Sequence, residues 1–283
     1  MKIVECPRDA MQGLKEFIPT PKKVNYINAL LKVGFDTIDV GSFVSPKAVP
    51  QMQDTAGVLM QLDLENSKSK LLAIVANLRG AQDAVVFDEI SCLGFPFSVS
   101  ETFQKRNANA GIEESLKRVE EIQNLCISRS KELVIYLSMA FGNPYGDSWN
   151  SKIVVQWTKK LSEMGIRTIA LSDTVGLGNP ESIAELFAEV VPSLKETEIG
   201  AHLHTRAENW EEKVKAAYDN GCRRFDSALK GFGGCPMAED ELVGNMATEN
   251  LVKFFAEKKI DLGLDKSAFA EALISASATF PLN

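Results

Sequence analysis

Eight short apolar runs recur along the chain, and segments with helical periodicity separate them. Most of the runs are nearly continuous in apolar residues, which is typical of parallel strands covered on both faces. Strands that alternate with helices in this way predict an α/β architecture built on a parallel sheet. The eight predicted strands are 2–6, 37–43, 70–75, 84–90, 133–140, 168–173, 198–204 and 223–229.

The segments between these runs carry helix signals of their own. Asn179 is a suitable N-cap, and Pro180 follows it at the first helical position. Gly221 suits the end of the next helix, and Thr248 suits the cap of a later one. Residues 112–131 predict a long charged helix. Eight strands that are each followed by a helix predict a (β/α)8 TIM barrel, with a doubly wound open sheet as the alternative.

The length of 283 residues fits one such barrel, and no break in composition marks a domain boundary. We therefore predict a single domain over 1–283, in which about 263–283 form a C-terminal helical extension. The net charge of −7 argues against nucleic acid and anionic membranes as partners. The longest apolar runs are too short to span a bilayer, and the first residues lack a signal-peptide pattern. Five scattered cysteines fit a reducing compartment, so we expect a cytoplasmic protein.

Polar residues gather at the ends of the predicted strands, at the rim where TIM barrels carry their active sites. They follow or end the first, second, sixth and seventh strands. This set consists of Arg8, Asp9, Asp39, Ser42, Asp173, Thr174, His202 and His204. The last strand is followed by the glycine-rich loop GFGGCP and then by GNMATEN.

His202 and His204 are the two histidines of the chain, and residues i and i+2 of a strand point to the same face. Two imidazoles on one face suit a divalent metal, but so short a spacing also occurs by coincidence. Asp9 and the side-chain carbonyl of Asn245 are candidate oxygen ligands. A set of two nitrogens and two oxygens favours Mg²⁺ or Mn²⁺ over structural Zn²⁺.

Three further residues have both a chemical and a structural interpretation. Arg8 could stabilise an oxyanion or simply form a salt bridge with Asp9. Cys235, after three glycines, could be a mobile acid or base or an incidental thiol. Asp173 could orient a ligand or cap the following helix.

Five motifs occur in order over nearly the whole chain: PRDAMQ, GSFVSPKAVPQM, SDTVGLG, HLH and GFGGCPMAEDELVGNMATENLV. Together they resemble the 3-hydroxy-3-methylglutaryl-CoA lyases of the DRE-TIM metallolyase superfamily. The second and last motifs are specific to these lyases. Relatives that condense acyl-CoA with a keto acid share the Arg-Asp and His-x-His elements but lack the cysteine loop.

The resemblance implies an enzyme dependent on Mg²⁺ or Mn²⁺ that cleaves 3-hydroxy-3-methylglutaryl-CoA to acetyl-CoA and acetoacetate. It implies metal ligands at Asp9, His202, His204 and Asn245. The implied catalytic residues are Arg8, at the thioester oxygen, and the loop thiol Cys235, together with Asp9 and His202. The implied substrate-binding residues are Arg8, Asp39, Ser42, Asp173 and Thr174. Candidate contacts for the CoA phosphates are Arg79, Lys105 and Arg106, for which ordinary surface charge is the alternative.

Three departures from the family pattern lie near these ligands. Ala10-Met11 replaces Gly-Leu, Asp39 replaces a glutamate, and Thr205–Ala207 replaces an Asp-Thr sequence after the second histidine. Two enzymatic alternatives are therefore a lyase for larger 3-hydroxy-3-alkylglutaryl-CoA substrates and an acyl-CoA condensing enzyme. A catalytically degenerate, CoA-binding barrel is the alternative of another class. The resemblance implies leucine degradation or ketone-body formation as the pathway, and a homo-oligomer is compatible with it.

Overall fold

The structure is a computed structural model that describes residues 1–234 and 243–280. Eight parallel strands form its centre, and each hydrogen-bonds to the next along the chain. The first strand also pairs with the eighth, with Ile3 opposite Phe225, so the sheet closes on itself. The strands are β1 Lys2–Glu5, β2 Thr37–Ser42, β3 Lys70–Ile74, β4 Ile90–Ser98, β5 Glu132–Ser138, β6 Thr168–Asp173, β7 Glu198–Thr205 and β8 Arg224–Ser227.

Helices follow every strand and surround this barrel. They are α1 Pro7–Gln12, α2 Thr20–Leu31, α3 Thr55–Leu59, α4 Leu78–Ala84, α5 Glu101–Ala108, α6 Ile112–Ser128, α7 Ser151–Glu163, α8 Pro180–Ser193, α9 Trp210–Asp219, α10 Thr248–Glu257 and α11 Lys266–Thr279. The closed barrel confirms the predicted (β/α)8 fold and excludes the open sheet. The predicted C-terminal helix is α11, which packs against α2.

Side chains of successive strand residues alternate between the barrel interior and the helix layer. On β3, Leu72 and Ile74 belong to an interior cluster, whereas Leu71 and Ala73 pack under the helices. Both faces are therefore apolar, which explains the nearly continuous apolar runs. On β7, Ile199, Ala201 and Leu203 pack in the helix layer. The alternation therefore directs His202 and His204 to the interior face.

The predicted fourth strand, 84–90, is wrong. Ala84 ends α4, Val86 is exposed, and the strand begins only at Ile90. The true strand contains Gly94 and Pro96, two residue types that normally disfavour strands. Gly94 faces the narrow interior, where a Cβ would lie 2.5 Å from Cδ1 of Ile74.

The helix signals are confirmed in part. Asn179 caps α8 in a capping box with Ser182, and Pro180 occupies the first turn. Thr248 is not an N-cap as predicted. It is the first residue of α10, and its hydroxyl donates to Glu5 on β1 instead. The long charged helix ends at Ser128 rather than at residue 131.

A two-residue strand, β9 Gly244–Asn245, runs antiparallel to the end of β7. It pairs Asn245 with His204, so it brings a residue from beyond the last barrel strand to the histidine rim. None of the helices within 1–234 and 243–280 is long and apolar enough to cross a membrane.

Candidate active site

Arg8 and Asp9 reach the rim on a short helix rather than on the end of β1. The helix α1 begins directly after the strand at Pro7, and both side chains are buried. Their position after β1 places them two strands from β7 around the barrel rim, with only β8 between. The predicted approach of Asp9 to the two histidines is therefore realised through α1.

Asp9, His202 and His204 converge, and their ligand atoms all lie within 4.8 Å of one another. The Nε2 atom of His204 is buried and has no hydrogen-bond partner among the described residues. A buried polar atom of this kind calls for a ligand, because native proteins rarely leave one unsatisfied. Nitrogen and carboxylate donors in this arrangement fit a divalent cation.

Asn245 completes this group from β9. Its amide nitrogen donates to Asp9 Oδ2 at 2.8 Å and to the carbonyl of Phe232 at 2.9 Å. Neither of these bonds uses the amide oxygen, which is the atom that a hard cation prefers. The four predicted metal ligands therefore lie together.

Arg8 is held by two carboxylates. Its Nε and Nη2 atoms donate to Asp39 Oδ2 at 2.9 and 2.5 Å, and Nη1 donates to Asp9 Oδ1 at 2.9 Å. Gln12 also donates to Asp9 Oδ1. The predicted salt bridge between Arg8 and Asp9 therefore exists, but the main partner of the guanidinium is Asp39 on β2.

Burial and these charges shift the titration of the rim. Burial raises the pKa of Asp39 to about 6, although the Arg8 charge partly offsets that shift. Burial also acts to raise the pKa of Asp9, but the charges of Arg8 and the two histidines outweigh it and the net shift is downward. Burial acts to lower the pKa of Arg8, and the two carboxylates reverse that effect, so the guanidinium stays charged.

The two histidines differ in their surroundings. Burial lowers the pKa of His204 to about 4, and the neighbouring His202 adds to that shift. Burial also acts to lower the pKa of His202, but its contact with Asp226 raises it overall. Neutral His204 therefore has a lone pair available over the whole physiological pH range.

Two residues that the sequence reasoning missed orient His202. Its Nδ1 lies 3.2 Å from Asp226 Oδ2, and Asp226 Oδ1 accepts from Arg224 at 2.7 Å. Because Nδ1 faces a carboxylate, Nε2 is left for a ligand. A signal existed in the run RRFDSAL, since alternation places Asp226 on the interior face of an apolar strand.

A cavity of about 520 Å³ opens above this cluster. Its wall includes Arg8 and the predicted substrate residues Ser42 and Thr174. The Ser42 hydroxyl accepts from the Val44 amide, and the Thr174 hydroxyl accepts from the Met139 amide. These bonds fix both side chains in the cavity wall.

Asp39 and Asp173 do not belong to the described wall of this cavity. Asp39 contacts Arg8, which itself lines the cavity. Asp173 uses both carboxylate oxygens inside the protein, since Oδ1 accepts from the Gly178 amide at 2.9 Å and Oδ2 from Lys213 at 2.8 Å. Asp173 therefore contacts its own loop rather than the cavity.

The outer wall carries two arginines, Arg106 and Arg118. Arg106 was a predicted phosphate contact, whereas Arg118 was not. The other two candidates, Arg79 and Lys105, are absent from the described cavity wall, and Lys105 pairs with Glu101 on the surface.

The glycine-rich loop begins directly above the cluster of candidate metal ligands. Gly233 has φ +90°, and a Cβ there would lie 2.6 Å from the Asp9 carbonyl and 2.8 Å from the Asn245 amide nitrogen. Only glycine fits this approach. Cys235, the predicted loop thiol, lies outside the described residues.

The fold and the rim define a metal-dependent enzyme of the (β/α)8-barrel class. The chain belongs to the HMGL-like family, whose model matches residues 2–274. It is 35% identical to a mitochondrial hydroxymethylglutaryl-CoA lyase of Gallus gallus, over 94% of this chain and 88% of that protein. It is 36% identical to a cytoplasmic 3-hydroxy-3-methylglutaryl-CoA lyase of Rattus norvegicus, over 96% and 79%.

Solved structures agree with this assignment. An HMG-CoA lyase of Acinetobacter baumannii, in complex with coenzyme A and 3-methylmalate, superposes with a TM-score of 0.91 at 30% identity, over 99% of this chain and 90% of that one. A hydroxymethylglutaryl-CoA lyase of Pseudomonas aeruginosa also gives a TM-score of 0.91 at 30% identity, over 100% and 93%. The resemblance that the sequence motifs indicated is confirmed.

Proposed function

We propose that this protein is a divalent-metal-dependent carbon–carbon lyase that cleaves 3-hydroxy-3-methylglutaryl-CoA to acetyl-CoA and acetoacetate. The observation that carries the proposal is the convergence, beside Arg8, of Asp9, His202 and His204, whose Nε2 has no partner within 1–234 and 243–280. Full-length relatives that carry this activity in their names support the choice of substrate. The coenzyme A complex of a close structural relative supports an acyl-CoA ligand.

Asp9, His202, His204 and Asn245 would hold Mg²⁺ or Mn²⁺. When bound there, the cation supplies positive charge that stabilises negative charge developing on a substrate oxygen. Other residues of the chain orient the side chains of these ligands. Asp226 fixes the ring of His202, and Gln12 and Arg8 fix the carboxylate of Asp9.

Arg8 would stabilise the leaving group. Cleavage of the C2–C3 bond leaves the enolate of a thioester, and its negative charge lies on the thioester oxygen. A guanidinium already held by Asp39 and Asp9 needs little reorganisation to meet that charge. Ser42 and Thr174, both in the cavity wall, would contact the acyl group.

The CoA phosphates need cations at the mouth of the cavity. Arg106 and Arg118 are the arginines beyond Arg8 in the described wall, and we assign them this role. Removal of either charge is expected to raise KM more than it lowers kcat, because the phosphates do not change charge during the reaction.

Cleavage also requires that the C3 hydroxyl lose its proton as its oxygen becomes the ketone of acetoacetate, and that one proton be delivered to the enolate carbon, so that no net proton is consumed. We assign the delivery to the enolate carbon to Cys235, two positions beyond the close approach of Gly233 to Asp9. Cys235→Ser should lower turnover sharply while Mn²⁺ affinity and melting temperature barely change, since a hydroxyl is a far weaker acid than a thiol. Full turnover in the serine variant would make Cys235 a bystander.

The direct test is the release of acetoacetate from 3-hydroxy-3-methylglutaryl-CoA with and without Mg²⁺. We expect turnover that a chelator abolishes and that His204→Ala lacks. Faster cleavage of a substrate with a longer 3-alkyl group would indicate the related lyase. Tight CoA binding without product from any of these substrates would indicate a degenerate barrel.

The location of the protein and its assembly are further proposals. The matched relatives include both mitochondrial and cytoplasmic enzymes, and we propose the cytoplasm for this chain. A homo-oligomer is also proposed, and light scattering at several protein concentrations would test it.

A further inference from the structure

Lys213 is a buried lysine beside the candidate cation site. It lies on α9, the helix that follows β7, and it is 2% exposed. Its ammonium group donates to Asp173 Oδ2 at 2.8 Å, to the carbonyl of His204 at 3.0 Å and to the carbonyl of Gly176 at 3.3 Å. The three donors of a lysine are therefore all used.

These three acceptors belong to the two strands that end at the site and to the loop that follows one of them. Asp173 ends β6, Gly176 belongs to the loop after it, and His204 is a proposed ligand on β7. The same loop contacts the segment that leads to Asn245, since a Cβ on Gly176 would lie 3.0 Å from the side chain of Val243. Lys213 thus joins the main chain of one ligand to the loop that packs beside another.

An ammonium in this position offsets a strong local repulsion. Without it, a buried carboxylate and two carbonyl oxygens would share one space with no donor between them, which is costly away from water. These groups would move apart or admit water. Because the carbonyl that would move belongs to His204 itself, the ring of His204 would move with it.

We propose that Lys213 is a positioning residue that holds the His204 main chain so that Nε2 stays directed at the cation site. The inference rests on the proposed function, because it assumes that His204 binds the cation. Asp173 then serves as the counter-ion of Lys213. The pair sets the affinity for the cation without touching either the cation or the substrate.

The chain offers a matched control in Lys23. This lysine is also 2% exposed, also lies on a helix, and also pairs with a carboxylate, Asp54, at 2.6 Å. It belongs to α2, and neither it nor Asp54 lines the cavity of the candidate site. Changing either lysine to methionine removes the ion pair of a buried lysine at nearly constant volume.

The experiment measures Mn²⁺ affinity from the electron paramagnetic resonance signal of free Mn²⁺, with no turnover required. We expect both Lys213→Met and Lys23→Met to lower the melting temperature. Only Lys213→Met should also weaken Mn²⁺ binding, by about 10- to 100-fold, as for other residues that orient metal ligands. Equal Mn²⁺ affinity in the two variants would overturn the proposal.

A second pair of variants separates the carbonyl contact from the buried charge. The double variant Lys213→Met/Asp173→Asn has no unpaired charge and should fold even if Lys213→Met does not. It should still bind Mn²⁺ about 10-fold more weakly or worse, because the His204 carbonyl has lost its donor. Asp173→Asn alone, in which Lys213 still reaches that carbonyl, should bind more tightly than the double variant.

Wild-type affinity in the double variant would overturn the role of Lys213 alone. A wild-type protein that binds no Mn²⁺ at millimolar concentration would instead overturn the proposed function, and this inference with it. The two failures are therefore distinct.

Discussion

At the scale of single residues, the positive charge of Arg8 decides whether the rim can stabilise an enolate. We expect Arg8→Gln to lower kcat by about 10²- to 10³-fold, the usual loss when a donor to a developing oxyanion is removed. The pKa of Asp39, already about 6 beside Arg8, should rise further once the guanidinium is gone. Steady-state kinetics and Mn²⁺ titration of the same variant provide the measurement. Near-normal turnover with a lower melting temperature would mean that Arg8 only forms a salt bridge.

Glu5 gives a second prediction at this scale, one of stability. It is fully buried on β1, and its two oxygens accept from the Leu229 amide at 2.8 Å and the Thr248 hydroxyl at 2.5 Å. Burial raises its pKa from 4.5 to about 8, and the two hydrogen bonds only partly offset that shift. Between pH 4.5 and pH 8, therefore, Glu5 keeps its proton in the folded protein but has released it in the unfolded chain.

The sign of the effect follows from this difference in proton binding. The contribution of Glu5 to the free energy of unfolding is fully present below pH 4.5. It is lost as the pH rises to about 8, by up to roughly 1.4 kcal/mol per pH unit. Glu5→Gln mimics the protonated side chain and does not titrate. Urea melts of both proteins should agree near pH 5, and the glutamine variant should be the more stable near pH 8. Parallel pH profiles would show that Glu5 is ionised in the folded protein.

The residues of the site divide into those that sequence reasoning reached and those that it missed. Asp9, His202, His204 and Asn245 stand in short motifs, and the structure brings them together. Lys213 and Asp226 stand in no motif, and their importance comes from contacts between elements that are not adjacent in sequence. Lys213 did carry a weak signal, because it lies four residues before Ala217 on the inner face of its helix.

At the scale of elements, the start of the glycine-rich loop is tightly constrained by the residues of the candidate cation site. Gly233→Ala combines an unfavourable φ with contacts of 2.6 Å to the Asp9 carbonyl and 2.8 Å to the Asn245 amide nitrogen. We expect it to displace the loop and lower kcat by at least about 10-fold, since misplacement of about 1 Å at a site can cost 10²-fold. Steady-state kinetics of the purified variant measure this loss.

Gly263→Ala is the matched control for this loop variant. Gly263 has φ +68°, and a Cβ at this position would meet nothing within 4 Å, so alanine adds backbone strain alone. It should cost about 1 kcal/mol of stability and leave kcat unchanged. Equal kinetic effects of the two alanines would show that strain, rather than the contact with Asp9 and Asn245, causes the loss.

The sequence predicted strands correctly where apolar runs match the buried strand. It failed where tertiary packing overrides the strand propensity of the residues. On β7, the apolar run and its histidines predicted both the strand and its interior face. The run at 84–90 has strong strand propensity, yet it ends a helix and a turn, while the true β4 includes Gly94 and Pro96. The close packing around Gly94 in the closed barrel favours a glycine there, and a linear pattern does not contain that information.

At the scale of the whole molecule, closure of the barrel brings together ligands that are far apart in sequence. Asn245 donates to Asp9 across 236 positions, and β1 pairs with β8 in register. The order of elements predicted this closure, because eight parallel strands with right-handed connections have few other solutions. The angle and depth of each side chain depend on packing, which the order of elements does not determine.

Because the proposed ligands come from α1, β7 and β9, a bound cation should stabilise the entire fold. At a Mn²⁺ concentration of about 100 times Kd, linkage adds about 2.7 kcal/mol to the free energy of unfolding. For a chain of this size that corresponds to a rise in melting temperature of roughly 4–5 °C. Differential scanning fluorimetry with Mn²⁺ and with excess chelator measures this difference directly.

The stabilisation of the fold by Mn²⁺ should depend on pH, because protons compete with the cation for the two histidines. A cation needs both imidazoles neutral. The pKa of His204 is lowered to about 4, so it does not limit binding, whereas the pKa of His202 is raised above 6.5 by its contact with Asp226. Protons therefore compete at His202 first, and the Mn²⁺-induced rise in melting temperature should be large at pH 8 and shrink as the pH falls below 7. A rise that persists in the His202→Ala/His204→Ala variant, or that is equal at pH 8 and pH 6, would place the cation elsewhere on the molecule.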